Sequence, residues 1–274
     1  MSRPLIYIGV VFGGASGEHN VSVKSAITVI NALKSEANQS KYLVIPVYID
    51  RMGRWWSSSV SEKVLIKGCG LEEEELGSQL CPGGFRQLPD GSEKIQIWFP
   101  VLHGPNGEDG TIQGLFKLMN KAFVGSGVLG SAVGMDKIAM KAAFCAAKLP
   151  QLPYLWANRF ELLDSQLFKL FVNQVEEILQ YPCFVKPANL GSSVGISKVN
   201  NQRELFAGLT KAISFDERVL VEQGVFAREL ECAILGKKNM NASTVGEISF
   251  EGDWYDYETK YITGSGELLV PALV

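Results

Sequence analysis

No stretch of this 274-residue sequence is apolar for long enough to cross a membrane. The first apolar run, Leu5 to Phe12, falls well short of the roughly 20 residues a bilayer core demands. No recognisable cleavage signal follows it. A cytoplasmic protein without membrane contact is the expectation. Positive charge is not in excess either: 26 Lys and Arg face 29 Asp and Glu, for a net charge of −3. That excludes a broad nucleic-acid surface, though not a local basic site. The five cysteines (Cys69, Cys81, Cys145, Cys183, Cys232) are odd in number and lack metal-ligand spacing. Three of them sit in apolar patterns, so buried free thiols in a reducing compartment are expected. Gly-Lys-Ser/Thr is missing, which excludes a Walker loop. Histidine is scarce, with only His19 and His103. No internal repeat or low-complexity tract is present.

What is present is ordinary for a globular chain: 46% hydrophobic and 20% charged residues. The length suits about one to three domains. Leu5 to Phe12 reads as a buried parallel strand. Gly13-Gly14-Ala15-Ser16-Gly17 breaks it, and a helix begins near Asn20 with Val23, Ile27, Ile30 and Leu33 on one face. Strands are predicted at Leu43–Ile49 and Ile95–Val101, with a polar, solvated excursion between them. Thr111–Lys121 reads as a helix. Strand–helix alternation to about residue 130 predicts an open α/β domain. Met135–Leu149 and Leu163–Leu179 read as helices. Residues 183–235 then read strand, loop, strand, helix, strand, strand, an α+β texture, which puts a boundary near 135.

Lys186-Pro187-Ala188-Asn189-Leu190-Gly191-Ser192-Ser193-Val194-Gly195 is the most informative stretch. It sets a cation beside an amide-rich loop on a hairpin, and such a loop can close over phosphate oxygens. Other stretches have chemical potential and a plain structural reading side by side. The Gly13–His19 turn joins strand to helix where ligands bind in open sheets, but lacks dinucleotide spacing. There Glu18 doubles as a helix-dipole carboxylate. His103 opens a loop whose Glu108 and Asp109 could simply cap. Lys137, with Lys141, opens a helix against the macrodipole, which mildly favours an anion ligand. Glu222 and Glu229 bracket a strand end, where carboxylates can accept from a ribose or adenine or merely end a hairpin. Tyr255–Tyr261 with Gly264 and Gly266 has the texture of a lid.

In order along the chain, these motifs resemble the D-alanine–D-alanine ligase family of the ATP-grasp superfamily. They are Gly13-Gly14-x-Ser16-x-Glu18-His19-x-Val21-Ser22, His103-Gly104-x-x-Gly107-Glu108-Asp109-Gly110, Gly125-x-Gly127-Val128, Met135-Asp136-Lys137, the 186–195 loop, Val221-Glu222 with Glu229-Leu230, and Tyr255-Asp256-Tyr257-Glu258-x-Lys260-Tyr261. Each is weak and the ordered set is specific. The resemblance implies an α/β and α+β ATP-grasp fold: an N-terminal open parallel-sheet domain (1–134), a central subdomain (135–223) and the start of a C-terminal subdomain (224–274). It implies that Glu18 holds the ammonium of the first D-alanine, with His103 and Val21 nearby. Ser192, Glu18 and Tyr261 would form a catalytic triad. Lys137, Lys186 and Lys260 would bind ATP phosphates under the Ser192-Ser193 loop. Glu222 would face adenine and Glu229 ribose. ATP, Mg²⁺ (or Mn²⁺), D-alanine and a homodimer complete the expectation.

The family's magnesium ligands, an Asp, a Glu and an Asn, and an Arg for the tetrahedral intermediate, lie in a segment that does not follow by Val274. The expectation is that the enzyme continues beyond these residues and that they alone are inactive. Two alternatives stand: a D-alanine–D-lactate ligase, against which Lys260-Tyr261 argues, and a non-catalytic nucleotide-binding remnant.

Overall fold

The computed structural model describes residues 4–77, 83–250 and 267–273. The chain forms two compact units, Met1–Ala143 and Phe144–Val274.

The first unit opens with β1 (Ile6–Gly13), α1 (His19–Lys34), β2 (Tyr42–Ile49) and β3 (Trp55–Trp56). Then come α2 (Ser58–Lys67), α3 (Glu73–Leu76), β4 (Ile97–Pro100), α4 (Thr111–Leu118), β5 (Ala122–Phe123), α5 (Val128–Met135) and α6 (Lys137–Ala146). The strands form one sheet in the order β3-β2-β1-β4-β5. β1 pairs in parallel with β2 and β4, and only the edge strand β3 runs antiparallel. Its central place explains why β1 is apolar throughout. Val10 and Phe12 point to the face covered by α1, where Val23, Ala26 and Ile30 pack. Val11 points to the opposite face, with Trp98, Ile112 and Phe116. An open, largely parallel sheet between helices is thus confirmed.

The excursion between β2 and β4 is not merely solvated. Asp50, 2% exposed, accepts from the backbone N–H of Met52 and Arg54, from Arg54 Nε at 2.6 Å and from Trp56 Nε1 at 2.9 Å. Arg54 also reaches Glu73 at 2.8 Å. These pairs fold the stretch back onto the sheet, while Glu75 binds Lys67 at the surface. Met135–Leu149 is likewise not one helix. Asp136 breaks it with extended backbone, and its Oδ1 accepts from Ile138 N and Ala139 N, capping α6. Of the expected buried thiols only Cys183 is buried among the described residues. Cys145 and Cys232 are exposed, Cys69 is half-buried, and Cys81 lies outside them.

The second unit contains β6 (Tyr154–Asn158), α7 (Arg159–Leu163), α8 (Ser165–Ile178), β7 (Cys183–Pro187), β8 (Ser197–Val199), α9 (Gln202–Ile213) and β9 (Arg218–Gln223). Its antiparallel sheet has the order β6-β9-β7-β8. One face packs on α8 and α9 through Val185, Val199, Val221, Phe171, Val175 and Leu209. Short strands follow: β10 (Glu229–Glu231), β11 (Ile234–Leu235), β12 (Asn241–Ala242), β13 (Gly246–Ser249) and β14 (Glu267–Leu269). The single strand expected over Glu229–Leu235 is therefore two, in separate sheets.

Candidate functional site

In the first unit the loops after β1 and β4 are stitched together at the C-terminal edge of the sheet. Gly13 and Gly14 both hold φ of 92°, and a Cβ on Gly13 would run into the Ile49 carbonyl oxygen. Ser22 Oγ accepts from Gly13 N at 2.8 Å and donates to the Val101 carbonyl at 2.5 Å. Ser16 Oγ accepts from Glu18 N at 3.2 Å and donates to the His103 carbonyl at 2.7 Å. Glu18 is buried at the N-terminus of α1, where the helix dipole favours a carboxylate. A Cβ on Gly104 would lie 2.8 Å from Glu18 Oε2, so only glycine leaves this carboxylate in place.

His103 Nε2 meets Ser25 Oγ at 3.1 Å. Glu108 accepts from Gly104 N at 2.8 Å and lies 3.9 Å from His103 Nδ1. Asp109 accepts from Asn106 N and Thr111 N, so it shapes the loop and starts α4. Glu18, His103 and their loops are therefore together, with Val21 half-buried on α1. A cavity of about 450 Å³ opens beside them, lined by Gly14, Ala15, Trp55, Phe85, Leu102 and His103. Lys137 opens α6 half-buried, and Lys141 one turn later is buried.

In the second unit, strand alternation separates two faces. Cys183, Val185 and Pro187 enter the core, while Phe184 and Lys186 face the other way. Register puts Lys198, Phe184, Glu222 and Tyr154 in one row across that second face. Lys186 lies in the next row, and its Nζ donates to Glu222 Oε2 at 2.6 Å. Glu222 is thus beside the lysine as well as beside the surface expected for a base. Glu229 is exposed in a different sheet.

The loop from Ala188 to Ile196 joins β7 to β8 in an antiparallel hairpin, as the sequence led us to expect. Ser192 (φ 50°), Ser193 (φ 61°) and Gly195 (φ 73°) all hold left-handed backbone. This winds the loop tightly, with Val194 N bonded to the Gly191 carbonyl. Asp216 anchors its base, accepting from Asn189 N at 2.6 Å, Asn189 Nδ2 at 3.1 Å and Arg218 N at 3.1 Å. No sequence motif marks Lys198 or Asp216. For Lys198 the signal was available, because strand alternation puts it on the same face as Lys186. The loop-anchoring contact of Asp216 reaches 27 residues away, beyond any local pattern. Lys260 and Tyr261 lie outside the described residues. Among the described residues no group of three or more His, Cys, Asp or Glu is placed to hold a metal ion.

Residues 7–126 match the family model of the D-ala D-ala ligase N-terminus, and residues 143–274 that of the D-ala D-ala ligase C-terminus. A D-alanine–D-alanine ligase from Prochlorococcus marinus (strain MIT 9303) is 60% identical over 97% of this chain and 75% of its own length. One from Synechococcus sp. (strain WH7803) is 58% identical over 99% and 77%. The crystal structure of the VanG D-Ala:D-Ser ligase from Enterococcus faecalis superposes with a TM-score of 0.77 at 33% identity, covering 99% of this chain and 78% of that one. The D-alanine–D-alanine ligase structure from Coxiella burnetii gives 0.73 at 32% identity, over 89% and 71%. This chain belongs to the D-alanine–D-alanine ligase family.

Proposed function

We propose that the protein joins two D-alanines into D-alanyl-D-alanine at the expense of ATP, for peptidoglycan precursor synthesis. The observation that carries this is 60% identity, spread over 97% of the chain, to a ligase of that name. The reaction is phosphorylation of the first D-alanine carboxylate, then attack of the second amine on the acyl phosphate with release of phosphate.

The roles of individual residues belong to the same proposal. Glu18, buried at a helix N-terminus, receives the ammonium of the first D-alanine through charge-assisted hydrogen bonds, beside His103 and Val21. Lys186 lies in the strand that leads into the left-handed Ser192-Ser193 turn, a setting in which a cation and backbone N–H groups can meet phosphate oxygens. Lys137 and Lys260 serve the same phosphates, and Ser193 shares the cover with Ser192. Spread of the developing charge over lysines lowers the barrier to phosphoryl transfer. Glu222 holds Lys186 in place through their 2.6 Å contact, and its sheet face, with Phe184 and Tyr154, offers a surface for the base. Glu229 takes the ribose. The catalytic grouping of Glu18, Ser192 and Tyr261 rests on the family resemblance.

Magnesium, or manganese, enters at the level of the family. The described residues offer no carboxylate cluster for it. The division into 1–134, 135–223 and 224–274, a homodimer and a cytoplasmic location are proposals of the same kind. No helix among the described residues is long and apolar enough to cross a membrane.

The test is phosphate release by protein made from its complete reading frame. Release requires ATP and D-alanine together. Equal release with L-alanine counts against the assignment.

A further inference from the structure

His19 has no role in the proposal above, yet it is fully buried. Its Nδ1 lies 2.6 Å from the Gly14 carbonyl oxygen and its Nε2 3.0 Å from the Tyr48 hydroxyl. A carbonyl can only accept, so Nδ1 carries the proton. Nε2 then offers a lone pair, and the Tyr48 hydroxyl donates to it. Every donor in this chain has an acceptor, which is what a buried polar network requires.

The environment holds that arrangement. The His19 and Tyr48 rings meet edge to face, with centroids 5.5 Å apart. Burial pushes the imidazole pKa below its ordinary 6.5, and that of Tyr48 up to about 12. Both groups therefore stay neutral near pH 7. Gly70 seals the pair: a Cβ there would lie 2.7 Å from Nε2 and 3.2 Å from the Tyr48 hydroxyl. Its N–H donates to Asn20 Oδ1 at 3.2 Å, tying the seal to α1. Gly70 and Tyr48 come from outside all the motifs of the resemblance.

The end of the chain of bonds matters most. Gly14 is the second of two left-handed glycines, and its own N–H donates to the Ile49 carbonyl at 2.8 Å. With its carbonyl also fixed by His19, this peptide segment cannot rotate without breaking a buried bond. The next turn leads directly to Ser16 and Glu18. We propose that His19, in its Nδ1–H tautomer, is a positioning residue that locks the Gly13-Gly14 turn and thereby aims Glu18 at the first D-alanine. The inference rests on the reading of Glu18 as the ammonium receptor.

The experiment compares His19→Leu, His19→Asn and Glu18→Gln in full-length protein, with separate KM values for ATP and for the first and second D-alanine. Asn places an N–H close to where Nδ1 stood; Leu has none. The leucine variant raises the KM of the first D-alanine by roughly tenfold or more, the scale of one misaligned hydrogen bond to a charged group. Its kcat and its KM for ATP stay within about twofold, a split that general loss of structure does not produce. Asn restores most of the loss. A folded leucine variant with an unchanged first-D-alanine KM overturns the inference, as does an equal rise in the KM for ATP. Glu18→Gln separates the two readings. If it leaves that KM unchanged, the assignment of Glu18 has failed; if it raises the KM and His19→Leu does not, only the positioning role has failed. Should His19→Leu not fold, the ¹⁵N shifts of the wild-type imidazole still decide: Nδ1 is protonated and Nε2 bare, and the opposite tautomer overturns the inference.

Discussion

Gly195→Ala puts one methyl group into the loop proposed to cover the phosphates, and the structure gives its cost. Gly195 holds φ of 73°. An L-residue there costs about 1–2 kcal/mol. Its Cβ would also lie 2.7 Å from Pro187 Cγ and 3.0 Å from Phe215 Cδ2. Overpacking of this kind costs about 1–3 kcal/mol. The sum, about 2–5 kcal/mol, is a sizeable part of a domain's typical stability of about 5–15 kcal/mol. The protein therefore folds, with a melting temperature lower by roughly 5–15 °C. If the loop relieves some of the strain by moving, a loss of about 1.4 kcal/mol in phosphate binding weakens the Kd for ATP tenfold. Gly134→Ala is the matched control. That glycine is in α5, with nothing near its Cβ, so alanine stabilises it by about 0.5–1 kcal/mol. Calorimetric melting and titration with ATP read both effects. The reasoning is refuted if Gly195→Ala matches wild type in both, or if Gly134→Ala is equally damaging.

Three further outcomes are expected. Lys186→Ala weakens ATP binding strongly and leaves the far-ultraviolet circular dichroism unchanged; an unaltered Kd would remove this lysine from the site. Asp50→Ala takes from the buried Arg54 guanidinium and from Trp56 Nε1 their shared acceptor and destabilises the first unit by about 1.5–3 kcal/mol, whereas Glu73→Ala, at the exposed end of the network, costs about 1 kcal/mol or less; denaturant titration should keep that order. Because burial lowers the folded-state pKa of His19 below 6.5, the unfolded chain binds the extra proton first as pH falls. The contribution of His19 is complete above 6.5 and is lost as pH drops through the folded pKa. Wild type should lose more stability than His19→Asn between pH about 7.5 and about 5.5, and equal losses would contradict the buried neutral imidazole.

Much of this was legible because its signals are local. The continuous apolar run of β1 announced a strand covered on both faces, and residues 183–199 read as strand, loop, strand. The glycine turns and the hairpin loop followed from the same reading. The misreadings share a different cause. The acidic run 72–75 is exposed, as its sequence suggests, but the same excursion also carries the buried Asp50–Arg54 pair, which no local pattern announces. The break at Asp136 hides inside an alanine-rich pattern, since a capping side chain and a helical one look alike there. Asp216 and Tyr48 act through residues 27 and 29 positions away, contacts that no local periodicity encodes. Cys145 and Cys232 show the limit of treating an apolar neighbourhood as burial.

The central claim, that a D-alanine carboxylate is activated as an acyl phosphate, is tested most directly with D-alanine labelled with ¹⁸O in its carboxylate. Attack of that oxygen on the γ-phosphorus, followed by cleavage of the carbon–oxygen bond by the second amine, sends one carboxylate oxygen into the released phosphate. Mass spectrometry of the phosphate should find one ¹⁸O for each D-alanyl-D-alanine formed. Unlabelled phosphate, with dipeptide produced, would contradict the account.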